Sequence, residues 1–416
     1  MIDRLGLRKS SERVVYQATR LGFRTAGAVG RSFKSAQKRV KPARLSKSAP
    51  RELFDLSPTD EQQMMRESVQ RFASEQLRPA AAKANEACAA PVELLAGSME
   101  LGLNLMGVPE ELGGAGSERS VMTNVLIAEA MAQGDMGLAV ACLSPLAVGQ
   151  ALVQWGDAEQ QSSYLPAFVG EKVPAAGLAM LEPRPLFDPF ALQTKARVAG
   201  DGYVLNGVKS LVTRAHESEL FIIAAELEGK GPVLFIVESS ANGLSIEAEP
   251  SMGLRAASLG RVILKDVKLP RAALLDEARA ETYAECVQLS RLAWCSLAVG
   301  TAQAVQDYVI PYVNERTAFG EPISHRQAVA FMVANIGIEL EGMRLLTWRA
   351  ASRAEQGKSF EREVALARRL CIERGMGIGN DGVQLLGGHG FVKEHPVERW
   401  YRDLRAIGVM EGGLLV

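Results

Sequence analysis

The sequence predicts an α+β chain of several domains: helices, then a β-domain, then helices again. Three observations predict this. At 416 residues the chain is too long for one small core, and two or three domains of roughly 100–200 residues are expected. Apolar residues recur near helical spacing over 56–170 and again over 276–416. Between them, over 173–275, the pattern turns to short β-branched runs punctuated by glycine. Strands grouped between helical regions argue for a separate β-domain rather than alternating βαβ units. The expected boundaries are a basic extension at 1–54, a helical domain at 55–172, the β-domain at 173–275 and a second helical domain at 276–416.

The 47% apolar and 23% charged residues are the balance of a globular chain, and the net charge of −1 gives no reason to expect nucleic acid. That figure hides an asymmetry. Residues 1–51 carry 14 Lys/Arg against Asp3 and Glu12, so 47 less 14 leaves 33 basic residues facing 46 acidic ones in the rest. No uninterrupted run of 18 apolar residues occurs, so a bilayer span is not expected. Cys88, Cys142, Cys286, Cys295 and Cys371 form no CxxC pair and read as reduced, packed thiols. The four histidines are scattered, so no metal site is expected.

The basic arm is rich in Arg, Lys and Ser with interspersed apolar residues. Three readings are open: a mitochondrial targeting peptide, an amphipathic helix on an anionic membrane, or a solvated tail. Asp3 and Glu12 count against the first. Localisation is therefore expected to be cytoplasmic, with peripheral membrane contact through the arm, or the mitochondrial matrix if the arm is a targeting peptide.

After the arm, Ser57 as N-cap, Pro58 at the first helical position and Asp60 and Glu61 in the first turn announce a helix, with Met64, Val69, Phe72 and Leu77 as its apolar stripe. Further helical patterns fall near 92–102, 120–132, 144–155 and 158–168, with GVPEELGGAG as a glycine-closed loop among them. In the β-region, ARVAGDGYVLNGVKSLVT reads as two strands joined at Asn206-Gly207, a hairpin signal. LFIIAAELEGKGPVLFIVESS gives two more strands, and RVILKDVKLP another. Long helices then cover about 283–313, 325–355 and 361–386, the second with Ile336, Leu340, Met343 and Leu346 on one side. Gly377-Ile-Gly379-Asn-Asp-Gly382 matches GxGxxG, but helical residues precede it instead of a strand. Those glycines read as helix packing.

The chemistry concentrates in Gln384–Glu411. Gly387, Gly388 and Gly390 leave backbone free to approach a polyanion or a flat ring. Glu411 follows Val409 and Met410 and precedes Gly412, Gly413 and Leu414. A carboxylate in apolar company is hard to ionise and suits a tuned general base.

Five segments together resemble the acyl-CoA dehydrogenase family: VPEELGGAG (108–116), GDGYVLNGVK (200–209), MGLRA (252–256), ERTAFGEPI with Gln327 (315–327) and QLLGGHGFVKEHPVERWYRD (384–403). They occur in family order and spacing over about residues 55–416. The resemblance implies an N-terminal helical domain, a middle antiparallel β-barrel or sandwich and a C-terminal four-helix bundle. It implies non-covalent FAD and oxidation of the Cα–Cβ bond of an acyl-CoA to a trans-2-enoyl-CoA. A Glu removes the α-proton, the β-hydride passes to flavin N5, and an electron-transfer flavoprotein accepts the electrons. Hydrogen bonds from the Glu backbone N–H and a ribityl hydroxyl stabilise the developing enolate.

Carried onto this chain, Glu411 falls on the catalytic Glu; the alternative position for a base is Ser290, which cannot serve. Arg291 falls on an Arg near the substrate. Arg316 and Phe319 fall on a pair reaching the FAD of a neighbouring subunit. Gln327, Gln384, Gly387 and Gly388 fall on the adenosine and pyrophosphate pocket, and Thr213 on the Thr beside N5. A homodimer or homotetramer is implied. The flavin loop departs from the family's TEPGAGSD. Here it is LEPRPLFD, where Leu181 replaces a hydroxyl and Phe187 a Ser, while Leu211 stands for a Trp. Gly413 and Leu415 replace polar residues near the pyrophosphate, whereas Glu182, Pro183, Asp188 and Thr213 are kept. These losses leave a second reading open: a catalytically degenerate relative acting as a binding or membrane-associated scaffold.

Overall fold

The computed structural model describes residues 42–47, 56–116, 118–170 and 172–416, so most of the basic arm lies outside the described residues. The described piece of the arm forms a strand, β1 (Ser46–Lys47), parallel to β2 (Glu118–Arg119). Ala43 is held there by Gln161, and the Arg44 guanidinium donates to Gly156 O at 2.9 Å.

The helices of the first half are α1 (Asp60–Phe72), a π-turn (Ala73–Leu77), α2 (Arg78–Ala87), α3 (Val92–Met99), α4 (Leu103–Met106), α5 (Val121–Gly134), α6 (Met136–Trp155) and α7 (Ala158–Phe168). The first starts later than expected. Thr59, not Ser57, is its N-cap, because Gln62 lies three residues on and completes a capping box with it. Val69 and Leu77 are buried as expected, but Met64 is 64% exposed. Helix α6 is long and apolar enough to cross a membrane, yet 89% of its most apolar window is buried inside the protein. Its start is set by Asp135, whose carboxylate caps it by accepting from Leu138 N.

Strands β3 (Ala176–Ala179), β4 (Lys195–Ala199), β5 (Gly202–Val212), β6 (Leu220–Leu227), β7 (Gly231–Glu238), β8 (Leu244–Ala248) and β9 (Gly260–Pro270) make one seven-stranded sheet. Strands β3 and β4 both run parallel to β6, and β7 covers its other edge, so the sheet is mixed rather than purely antiparallel. Asn206-Gly207 is not a hairpin turn. The turn is Gly200-Asp201, and Gly207 sits inside β5 at a register shift against β9. A Cβ on Gly207 would lie 2.6 Å from Thr194 Cα, so close backbone approach explains this glycine.

The last region holds α8 (Ala280–Glu315), the short β10 (Thr317–Ala318) and β11 (Glu321–Pro322), α9 (Gln327–Glu355), α10 (Glu361–Leu385) and α11 (Val397–Leu404). Ile336, Leu340 and Met343 are buried along α9, and Leu346 packs against the same core. Gly379 and Gly382 of the GxGxxG match lie within α10. Gly379 lets it approach Tyr401 and Leu404, and Gly382 lets it approach Val305.

A buried polar joint ties the three regions together. Arg399 Nε donates to Asp135 Oδ2 at 2.9 Å, and Leu254 N donates to Asp403 Oδ1 at 2.7 Å. A Cβ on Gly253 would sit 2.6 Å from Arg402 O, which gives the MGLRA glycine its reason. Burial and the nearby Asp135 push the Asp403 carboxyl up to about 7. Such a group holds its proton more tightly folded than unfolded. Its stabilising contribution is complete below the usual carboxylate range and is lost as pH rises toward 7. Asp403→Asn is therefore expected to reduce the loss of thermal stability between pH 5 and pH 7.5. Unfolding midpoints of parent and variant falling in parallel over that range would contradict it.

Candidate functional site

The chain leaves α11 through a 3₁₀ turn (Arg405–Gly408) and enters the interior as an extended segment. Gly413 N donates to Leu178 O at 3.0 Å, and Gly412 pairs with Ala179, so the segment lies beside β3. The Trp294 indole donates to Gly412 O at 2.7 Å. Gly412 has φ +76°, and a Cβ there would meet Met180 Cγ at 2.9 Å. Only glycine fits both the turn and the space.

This places Glu411, 6% exposed, among charges rather than among apolar groups. Arg291 Nη2 and Nε donate to Oε1 at 2.7 and 3.0 Å, and Nε reaches Oε2 at 3.1 Å. Arg368 Nη2 lies 3.0 Å from Oε1. The expected apolar surroundings are thus corrected. Val409, Met410 and Leu414 are its neighbours along the chain, but α8 and α10 each deliver a guanidinium across space. Tyr283 of α8 is pushed well up by burial and by the charges of Cys286, Glu411 and Glu182.

Thr213 follows β5 on the adjoining face. Its Oγ1 is buried with no hydrogen-bond partner and lies 3.7 Å from where a Cβ of Gly413 would sit. Ser290 Oγ, one residue before Arg291, is also buried without a partner. An orphaned buried hydroxyl beside bare glycine backbone, as Thr213 Oγ1 is beside Gly413, is what a polar, flat ligand such as a flavin would satisfy. The flavin loop is held from below. Glu182 accepts from Gln193 N and Thr194 N at 2.7 and 2.8 Å and from Lys209 Nζ at 2.9 Å. Leu181 is 6% exposed, and Phe187 lies under the Arg184 guanidinium.

The other expected cofactor residues lie at the far end of α8. Arg316 is its exposed C-cap, and Phe319, 96% exposed, sits in the β10–β11 turn with the Arg326 guanidinium over its ring. Gln327 opens α9, and Gln384 is exposed near the end of α10. Gly387 has φ +56°, and Gly388 stands in open space. Tyr312 OH joins the two groups by bonding His389 Nδ1 at 2.8 Å. Arg316 lies 25 residues beyond Arg291, about 37 Å along the helix at 1.5 Å per residue. The two clusters therefore do not share one site within a single chain.

A cavity of about 630 Å³ opens between α1, α5, α6 and α8. Leu103, Leu143 and Ala293 line its apolar side, and Arg119, Asn124 and Gln150 its polar side. Arg44 and Leu45 of the arm close one flank, and Leu414–Val416 form the wall nearest Glu411, which itself is not among the lining residues. Among the described residues no cluster of His, Cys, Asp and Glu could hold a metal ion.

Comparisons with known proteins agree with this fold. The family models for the acyl-CoA dehydrogenase N-terminal, middle and C-terminal domains match residues 59–172, 177–267 and 281–413. The chain belongs to the acyl-CoA dehydrogenase family, whose members are FAD-dependent oxidoreductases. It is 34% identical to the mitochondrial short-chain specific acyl-CoA dehydrogenase of Bos taurus, over 84% of this chain and 86% of the relative. It is 31% identical to a 3-(aryl)acrylate reductase of Clostridium sporogenes, over 85% and 95%. Among solved structures, butyryl-CoA dehydrogenase of Megasphaera elsdenii superposes with a TM-score of 0.78 at 26% identity, covering 86% of this chain and 95% of that one.

Proposed function

We propose that this chain oxidises the Cα–Cβ bond of a short-chain acyl-CoA thioester to the trans-2-enoyl-CoA, with Glu411 removing the α-proton. The observation that carries the reading is the buried Glu411 on the extended segment beside β3, two residues before Gly413, which adjoins the unpartnered Thr213 hydroxyl. Bound FAD supplies the acceptor for the β-hydrogen and its electron pair. The chain's part is to place a carboxylate oxygen at the α-carbon, exclude water, and offer Thr213 Oγ1 to the flavin ring. Short-chain substrates follow from the names of the relatives, and an electron-transfer flavoprotein is the proposed acceptor. The test is direct. Purified protein is expected to be yellow and to bleach when acyl-CoA is added without oxygen, and a panel of chain lengths reads the preference. Colourless protein that takes up no FAD would sink the enzyme and favour a degenerate binding relative.

The proposed assembly is a homodimer or homotetramer in which Arg316, Phe319, Gln327, Gln384, Gly387 and Gly388 serve a neighbour's FAD. The separation of about 37 Å along α8 supports this. So does the stripe Phe331, Ile338 and Leu345 on α9, 62%, 68% and 53% exposed at seven-residue intervals. Phe331→Asp with Ile338→Asp is expected to shrink the species seen by light scattering and to lower FAD content. An unchanged mass would place the interface elsewhere.

A further inference from the structure

Two guanidiniums meet Glu411, and Arg368 does more than add a second charge. Its Nη2 is 3.0 Å from Glu411 Oε1, while Nη1 and Nη2 both lie 3.3 Å from Met410 O. One fork therefore holds the base's side chain and the carbonyl just before it. Arg291 donates through Nε and Nη2 to Oε1 and Arg368 adds an ion-pair contact to the same oxygen, whereas Oε2 receives the same, shared Arg291 Nε–H at 3.1 Å. We infer that Arg368 is a positioning residue that anchors Oε1 with an opposite charge, leaving Oε2 as the oxygen that takes the substrate proton. The inference rests on Glu411 being the base.

The surroundings support it. The Arg368 side chain is 13% exposed, and a buried cation is retained where a countercharge pays for its desolvation. Burial pushes Arg368 down from its ordinary value, and Glu411 opposes that. The groups facing the pair are few. From α8 come Tyr283, Arg291 and Cys295, and from α10 comes Cys371. Glu182, from the loop after β3, acts on Tyr283, and its own charge is met by Lys209. Tyr283 and Cys371 are raised, so both are neutral between pH 6 and 8, a range estimated from their ordinary values of about 10 and 8.5. A change in the pH profile of flavin reduction between the parent and an Arg368 variant then reads the loss of the Arg368 charge beside Glu411.

The experiment follows flavin bleaching by saturating acyl-CoA in the FAD-loaded protein between about pH 5.5 and 9, a window that brackets the neutral range. For Arg368→Gln the acid limb is expected to move up by about one pH unit, the effect of losing one close opposite charge. The rate then falls about tenfold at the acid end and recovers toward the parent's at the alkaline end. A merely structural loss would lower the rate equally at every pH, and that result, or no change, overturns the inference. If Arg368→Gln does not take up FAD, Arg368→Lys carries the test. Lysine keeps the charge but not the fork, so the limb stays at the parent's pH while the rate falls several-fold, and a shifted limb overturns the proposal. A parent that binds FAD but never bleaches overturns the reading of Glu411 itself, a result distinguishable from failure of the Arg368 role alone.

Discussion

Glu411→Gln is expected to leave FAD uptake intact and to slow flavin bleaching by acyl-CoA by about 10²–10⁴-fold, the range for removing a positioned general base. Glutamine is the right probe because of the local asymmetry. Its amide oxygen can take the place of Oε1, which receives two N–H groups of Arg291 and lies 3.0 Å from Arg368 Nη2. Its amide nitrogen then falls at Oε2, which shares the Arg291 Nε–H with Oε1, at 3.1 Å. The variant therefore keeps the shape of the site while losing the basic oxygen. It also loses the countercharge of two arginines, so a stability loss of about 1–3 kcal/mol is expected beside the kinetic effect. Alanine would leave Arg368 buried with no acceptor but Met410 O, and would confuse the two effects. Bleaching of the glutamine variant at a rate within tenfold of the parent's would move the base away from Glu411.

What could be read in advance divides by range along the chain. The order of helices, strands and helices was visible because periodicity is local, and α8, α9 and α10 ended within a few residues of expectation. Glu411 stood out by its spacing from Gly387-Gly388. Arg368 did not. It sits in an Ala-Arg-Arg-Leu run on a charged helix, where neither arginine differs from an ordinary solvated one, and only the fold turns one of them inward. The same limit explains the surroundings of Glu411, which were inferred from chain neighbours while its partners arrive from 120 residues away in one case. Asn206-Gly207 carried a turn's composition into a strand, because the constraint is the closeness of Thr194, a contact invisible to local pattern. Thr59 against Ser57 is a smaller case: the reciprocal bond to Gln62 decides the cap.

Lys209→Met is expected to be among the most destabilising single changes in the chain, at about 3–5 kcal/mol, the cost of breaking a buried ion pair from one side. Lys209 is fully buried, and burial pushes its ammonium down to about 8 even with Glu182 opposing. Its Nζ donates to Met180 O and to Glu182 Oε1 at 3.0 and 2.9 Å. Glu182 in turn receives the backbone N–H groups of Gln193 and Thr194, so the pair fixes both ends of the flavin loop between β3 and β4. Methionine fills the space but leaves Glu182 with no countercharge. The loop is then expected to loosen first, so that FAD is released at lower urea than in the parent, ahead of the main unfolding transition. Adding Glu182→Gln is expected to restore much of the loss, because a neutral amide still accepts from Gln193 and Thr194 and needs no cation. Non-additivity of that sign is the signature of a direct pair. If the double variant is no more stable than Lys209→Met alone, the contribution of Lys209 lies in packing along its stem rather than in charge, and the loop is held by the two backbone bonds instead.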